Sequence, residues 1–274
     1  MRAIAPKRYA NSFKRNLSED EISMFWDKLR DAKISEEIRL ALKFLLVTAQ
    51  RKSEVTDSEW KEFDLENKWW TIPPERTKNK QSHRVPLTPI AIQILKELKQ
   101  VTGEYQFTFA SPVGATKRSP DRLPGTVPII ASAVDNALRD NLTDDPKTKR
   151  NNIFNLDHFT PHDLRRTAAS MMTRSGIQRL TVKKILNHSD REITSVYDRY
   201  EYDKEKQTAM RAWDKELKKI LTNQTKAESK QILTKQEKKK PKKIITNEKK
   251  EENNEVITYE QFIKNNNLRD FTKK

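Results

Sequence analysis

The sequence predicts an α+β domain, mainly α-helical, with one small antiparallel β-sheet and an irregular basic C-terminal tail. Three features carry that expectation. Several segments repeat apolar residues at helical spacing behind a cap, one pair of short β-rich runs flanks a polar turn, and residues 223–254 have almost no apolar periodicity. Ser18 and Glu21 form a capping box ahead of Ile22, Phe25, Trp26 and Leu29. A second helix starts near Ser35, carries Ile38, Leu42, Leu45 and Leu46, and delivers Thr48-Ala49-Gln50-Arg51 at its end. Strands are expected at 69–72 and 83–87 around a turn at 78–82. Thr88-Pro89 opens a helix with Ile90, Ile94, Leu95 and Leu98, because proline suits the first helical position. A Pro- and Ser-rich loop at 111–128 precedes a helix near 129–140, and a polar stretch follows at 143–152. Thr160-Pro161 then caps a helix that Gly176 ends. Thr181 is placed as the cap of a short helix through Ile185, and a further helix is expected near 193–202.

These elements suggest a linker remnant at 1–13, one globular domain at 14–222 and a Lys-rich tail at 223–274. The tail contains Lys238-Lys239-Lys240-Pro241-Lys242-Lys243 and cannot bury enough apolar surface to offset its ordering entropy. Tyr259, Phe262, Ile263, Leu268 and Phe271 leave room in it for a short helix near 258–271.

The chain has 274 residues and no cysteine, so disulfides and thiolate metal sites are ruled out, as suits a reducing compartment. Residues 1–7 have charge but no apolar core of the signal-peptide kind, and no apolar run approaches the ~20 residues that span a bilayer. A cytoplasmic, nucleoid-associated protein with no membrane partner is expected. The formal net charge of +16 suits nucleic acid, since Lys and Arg displace counterions condensed on phosphates. Charge alone does not separate an enzyme from a binding module.

Chemistry concentrates in a few positions. His162 and Arg165 are three apart in the first turn of a helix, on one face, where unpaired backbone N–H groups favour an anion. Arg51 and Arg165 have the planar, permanently charged fork that grips two phosphate oxygens at once. No His/Asp/Glu cluster has metal-ligand spacing, and the four glycines form no phosphate loop, so neither a metal nor a nucleotide cofactor is implied. His83 and His158 read as structural.

The order Arg51 in Thr-Ala-Gln-Arg-Lys-Ser-Glu-Val, His162 and Arg165 in Thr-Pro-His-Asp-Leu-Arg-Arg-Thr, His188 in Leu-Asn-His-Ser, and Tyr197 nine residues later resembles the catalytic signature of the tyrosine recombinases, or phage integrases. The resemblance covers about residues 14–215, and Trp213 matches the end of the domain in prophage integrases. It implies a site-specific recombinase that cuts and rejoins DNA for integration or excision of a mobile element, with Tyr197 forming a 3′-phosphotyrosyl link. Arg51, Arg165 and His188 are then expected to hold the phosphate, and His162 to accept a proton or donate in the transition state. Glu54 is expected to brace Arg51. The stretch 75–87 resembles the family's β-hairpin, whose lysine protonates the leaving 5′ oxygen; Lys78 matches that lysine best, with Lys80 next. Tyr200 is the rival nucleophile, and Asn187 stands where the family usually has glycine. The implied partners are double-stranded DNA at attachment sites and further copies of the chain, a tetramer in synapsis. The family's usual N-terminal core-binding domain is not recognised ahead of residue 14. Two other readings stay open on sequence: a type IB topoisomerase-like enzyme, and a non-catalytic DNA-binding remnant.

Overall fold

The computed structural model describes residues 15–116, 119–188 and 200–238, with side chains through 223. The chain divides into two compact units, Met1–Lys230 and Gln231–Lys274. Of the second, only a helical stretch at 231–238 is described.

Two capped helices begin the fold. In α1 (Glu19–Lys28) the Ser18 hydroxyl accepts from the Glu21 amide while the Glu21 carboxylate accepts from the Ser18 amide, so the box read from sequence is formed. α2 (Glu36–Thr48) starts at Ser35 and ends at Ala49, whose φ of 57° turns the chain left-handed without a glycine. A short helix, α3 (Lys52–Thr56), follows Arg51 at once. It was not expected, since five residues are too few for periodicity to show.

The sheet is antiparallel in the order β1 (Phe63–Asp64), β2 (Trp69–Ile72), β3 (His83–Pro86). β2 and β3 fall where the sequence places them, with Ile72 opposite His83. β1 has two residues and left no pattern to read. α4 (Pro89–Thr102), α5 (Ala131–Asn141), α6 (Pro161–Arg174), α7 (Arg179–Ile185) and α8 (Asp203–Lys238) complete the described elements. Gly176, at φ 84°, stops α6 as expected. α7 starts two residues ahead of Thr181, which lies buried inside it. The helix expected near 193–202 falls largely outside the described residues. α8 runs on to Lys238, whereas composition predicts irregular chain from 223. Residues 223–238 contain no Gly or Pro and are rich in Lys, Gln and Glu, so intrinsic helix propensity carries the helix onward. No described helix is long and apolar enough to cross a membrane.

α2 is the central beam. Leu40, Leu42, Phe44, Leu45, Leu46 and Val47 are buried on nearly all its faces. Phe44 meets Phe63, Trp70 and Phe109 on one side, and Phe25, Phe154 and Phe159 form a second aromatic cluster. α8 ties two helix ends to this core. Buried Trp213 donates to Leu46 O at 3.3 Å, and Asp214 accepts from the Ile90 amide at 3.1 Å, capping α4.

Candidate active site

The site is assembled around the C-terminal end of α7. A helix leaves its last carbonyls without intrahelical partners, and cations are favoured there by the helix dipole. Here three consecutive carbonyls are taken in turn. Ile185 O accepts from Gln50 Nε2 at 3.0 Å and from His83 Nε2 at 3.0 Å. Leu186 O accepts from Arg165 Nη2. Asn187 O accepts from Arg51 Nη2 at 3.0 Å. Arg165 Nη1 also donates to Ala49 O at 2.7 Å, joining the left-handed end of α2 to the end of α7. Both arginines are therefore fixed by helix-end carbonyls, and each guanidinium retains further N–H groups.

Glu54 holds Arg51 from below. Its carboxylate, 1% exposed, accepts from the Arg51 amide at 2.9 Å and from Arg51 Nη1 at 2.7 Å. This is one half of a capping box at the start of α3, the third residue's carboxylate returning to the amide before the helix, so the residue that starts the helix is also the residue it orients. Arg76 Nη2 donates to Glu54 O and to Glu62, which ties the foot of the β2–β3 hairpin to α3. Arg165 is buried. Desolvation and the neighbouring Arg51 charge lower its pKa to about 10, which leaves it charged at neutral pH.

His162 and His188 present solvent-exposed edges next to this pair. The Asp163 carboxylate accepts from both the amide and the hydroxyl of Thr160, fixing the start of α6 with His162 in its first turn and Arg165 just after it. Desolvation first, then the charges of Arg166 and Arg165, lower the His162 pKa. Desolvation, then Arg165, Arg51 and His162, lower that of His188. Both imidazoles are thus biased to the neutral form in a field that is predominantly positive, offset at His162 by Asp163, and an arriving anion relieves that field. The arrangement can receive a phosphodiester: two forked cations, two imidazoles and a helix N-terminus around one open face.

His83 is a support for this centre, as its place outside the motif suggested. It is 5% exposed, and its Nε2 faces two acceptors, Ile185 O and Gln50 Oε1 at 3.2 Å, so the proton sits on Nε2. Burial foremost, then the charges of Lys206, Arg165 and Arg51, lower its pKa to about 3. At pH 7 the ring is neutral both folded and unfolded. As pH falls through 6.5 the unfolded chain takes a proton that the folded chain refuses until about 3, so stability is lost on acidification. In urea unfolding, the deficit of His83→Gln against wild type is expected to shrink by about 2 kcal/mol between pH 7 and pH 5, because the variant has no such proton to take. A deficit independent of pH would place the imidazole in a solvated setting.

The hairpin between β2 and β3 overhangs this face. Its turn is knotted by Thr77, whose hydroxyl donates to Gln81 O at 2.8 Å and accepts from the Gln81 amide at 3.1 Å. Lys80 takes φ 58° and its ammonium points back to Glu75 O at 3.5 Å. Lys78 is exposed and has no hydrogen-bond or ion-pair partner among the described residues.

Tyr197 lies outside the described residues. The chain re-enters at Tyr200 and is pinned beside the hairpin. Arg84 of β3 bonds Asp203, approaches Glu201 at 3.6 Å and stacks 4.2 Å over Trp69. Buried Lys206 donates to Arg84 O at 3.1 Å and pairs with Asp203 at 2.9 Å. Tyr200 donates to Glu205 at 3.3 Å, and desolvation and that carboxylate push its pKa up. Gln50 is the supporting residue the sequence did not single out; its neighbour Arg51 was the only signal nearby. Among the described residues, no group of three or more His, Cys, Asp or Glu side chains is placed to hold a metal ion.

Such a cluster, on a mainly helical α+β domain, has the charge and the donors to receive an oxyanion. Residues 15–204 match the phage integrase family, and the chain belongs to that family. It is 26% identical over 195 residues to the prophage integrase IntA of Escherichia coli strain K12, covering 71% of this chain and 42% of that protein. It is 35% identical over 91 residues to the integrase of Enterobacteria phage P4, covering 29% of this chain and 21% of that one. The integrase of mycobacterium phage Brujita overlays with a TM-score of 0.49 at 14% identity, over 77% of this chain and 61% of the other. The chain spans half or less of the length of the curated relatives named here.

Proposed function

We propose that this chain carries the strand-transfer centre of a site-specific DNA recombinase. It cuts and rejoins double-stranded DNA through a 3′-phosphotyrosyl link on Tyr197. The observation that supports this most is the seating of Arg51 and Arg165 on adjacent carbonyls at the end of α7, one residue from His188. Membership of the phage integrase family supports the same reading.

The step balances as an in-line exchange. The Tyr197 oxygen forms a bond to phosphorus as the bond from phosphorus to the 5′ oxygen breaks. Arg51 and Arg165 neutralise charge on the non-bridging oxygens, where preorganised donors contribute most. His188 donates to the same phosphate, and His162, neutral in the free site, accepts or shares the phenol proton. Lys78 protonates the departing 5′ oxygen. Rejoining runs the steps in reverse with the 5′ hydroxyl of a partner strand, and synapsis assembles a tetramer of this chain on two attachment sites. The enzyme acts where its chromosomal target lies, at the nucleoid.

A duplex carrying a 5′-bridging phosphorothiolate tests the acid, since a thiolate departs without protonation. Lys78→Ala is expected to cleave ordinary DNA slowly and the thiolate duplex at close to the wild-type rate. Equal defects on both duplexes would move the role to Lys80.

A further inference from the structure

The left-handed turn that carries His188 is joined to the hairpin that carries Lys78 by a reciprocal pair of side-chain amides. Asn79 Nδ2 donates to Asn187 Oδ1 at 2.8 Å, and Asn187 Nδ2 donates to Asn79 Oδ1 at 3.2 Å. The two residues are 108 apart in sequence, so neither the turn nor the hairpin sets up the contact locally. Each amide is half-buried. Asn187 does two further things. At φ 46° it makes the left-handed bend that ends α7, a conformation open to glycine and asparagine but costly for most residues. Its carbonyl is the acceptor that seats Arg51. One residue therefore shapes the turn, anchors a guanidinium and grips the hairpin.

We infer that the Asn79–Asn187 amide pair is a positioning clamp that holds the Lys78 hairpin in register over the phosphate site. The inference rests on the reading of Lys78 as the proton donor. Lys78 precedes Asn79 directly, its side chain has no partner of its own among the described residues, and the turn touches the site through Asn79. A lysine on a hairpin delivers a proton only while the hairpin is docked, so the fraction docked multiplies the rate of leaving-group departure. Releasing two hydrogen bonds that favour the docked state lowers the docking equilibrium constant about tenfold or more, and the docked fraction falls by the same factor once the undocked state dominates. Through their side-chain amides both residues act on Lys78, and neither amide is a reacting group.

Asn187→Gly keeps the left-handed bend, since glycine takes positive φ freely, and removes only the amide. Asn79→Ala removes the other half. Two measurements on the full chain decide the matter. In single-turnover cleavage, each variant is expected to lose about tenfold on ordinary DNA and to return to near wild type on the 5′-bridging phosphorothiolate duplex. The double variant is expected to be no slower than either single one, because one clamp is lost in all three. In hydrogen exchange, the segment 77–82 is expected to exchange faster in both variants. Lys78→Ala serves as the control. If it is rescued by the thiolate and the asparagine variants are equally slow on both duplexes, the clamp is overturned while Lys78 keeps its role. If Lys78→Ala is not rescued, the proton-donor assignment fails, and unchanged exchange at 77–82 in Asn187→Gly would overturn the clamp separately.

Discussion

Arg165→Ala is expected to slow strand cleavage by about a hundredfold to a thousandfold, the range found when one transition-state donor is removed from a preorganised site. The same change is expected to cost roughly 2–4 kcal/mol of stability. Arg165 is 3% exposed and spans two helix ends, so its loss leaves Ala49 O and Leu186 O without a donor. The two effects separate in Arg165→Lys. An ammonium restores charge, and with it part of the stability, but one point charge cannot hold two carbonyls and two phosphate oxygens at once. Cleavage by Arg165→Lys therefore stays far below wild type while its urea midpoint recovers. Near-normal cleavage by Arg165→Lys would contradict a forked grip on phosphate.

Tyr197→Phe is expected to abolish covalent attachment to DNA outright while leaving DNA retention unchanged, because only a hydroxyl is removed and no cation is lost. Tyr200→Phe is expected to retain attachment. The Tyr200 hydroxyl is engaged by Glu205, its pKa is pushed up, and its ring lies edge-on to Tyr202 at 4.9 Å. The Glu205 hydrogen bond and the raised pKa work against a phenolate forming at Tyr200. Attachment by Tyr197→Phe, and not by Tyr200→Phe, would reverse the assignment.

Much of the fold is written locally and was legible. Ser18 with Glu21 starts α1, Thr160 with Pro161 starts α6, and the paired β-rich runs become β2 and β3, because each signal lies within a few residues of what it specifies. What escaped was too short or was decided elsewhere. α3 is five residues long, β1 is two, and α7 begins at Arg179 because tertiary packing buries Thr181 within it. The onward run of α8 past 222 was hidden by reading charge as disorder, when a stretch without glycine or proline is also a good helix. In the candidate site, the residues that the family resemblance named lie at and just inside the start of α3, on α6, just past the end of α7 and on the hairpin, apart from Tyr197. The carbonyl-capping network that seats them was not legible. Gln50 and His83 reach Ile185 across 135 and 102 residues, and no periodicity encodes a contact at that range. Asn187 looked like a small departure from glycine. Its φ of 46° explains why asparagine is accepted there, and its side chain adds a contact that glycine cannot make.

The central claim is that Tyr197 becomes linked to DNA in a site built by Arg51 and Arg165. The direct measurement is peptide mass spectrometry of the wild-type chain after reaction with a nicked suicide duplex carrying its attachment site, in which the 5′ product diffuses away and the protein stays trapped. A nucleotide remnant is expected on the peptide containing Tyr197, and none in a parallel reaction with Arg165→Ala at the same short time. A remnant on Tyr200, or a wild-type chain that binds the duplex and is never modified, would contradict it.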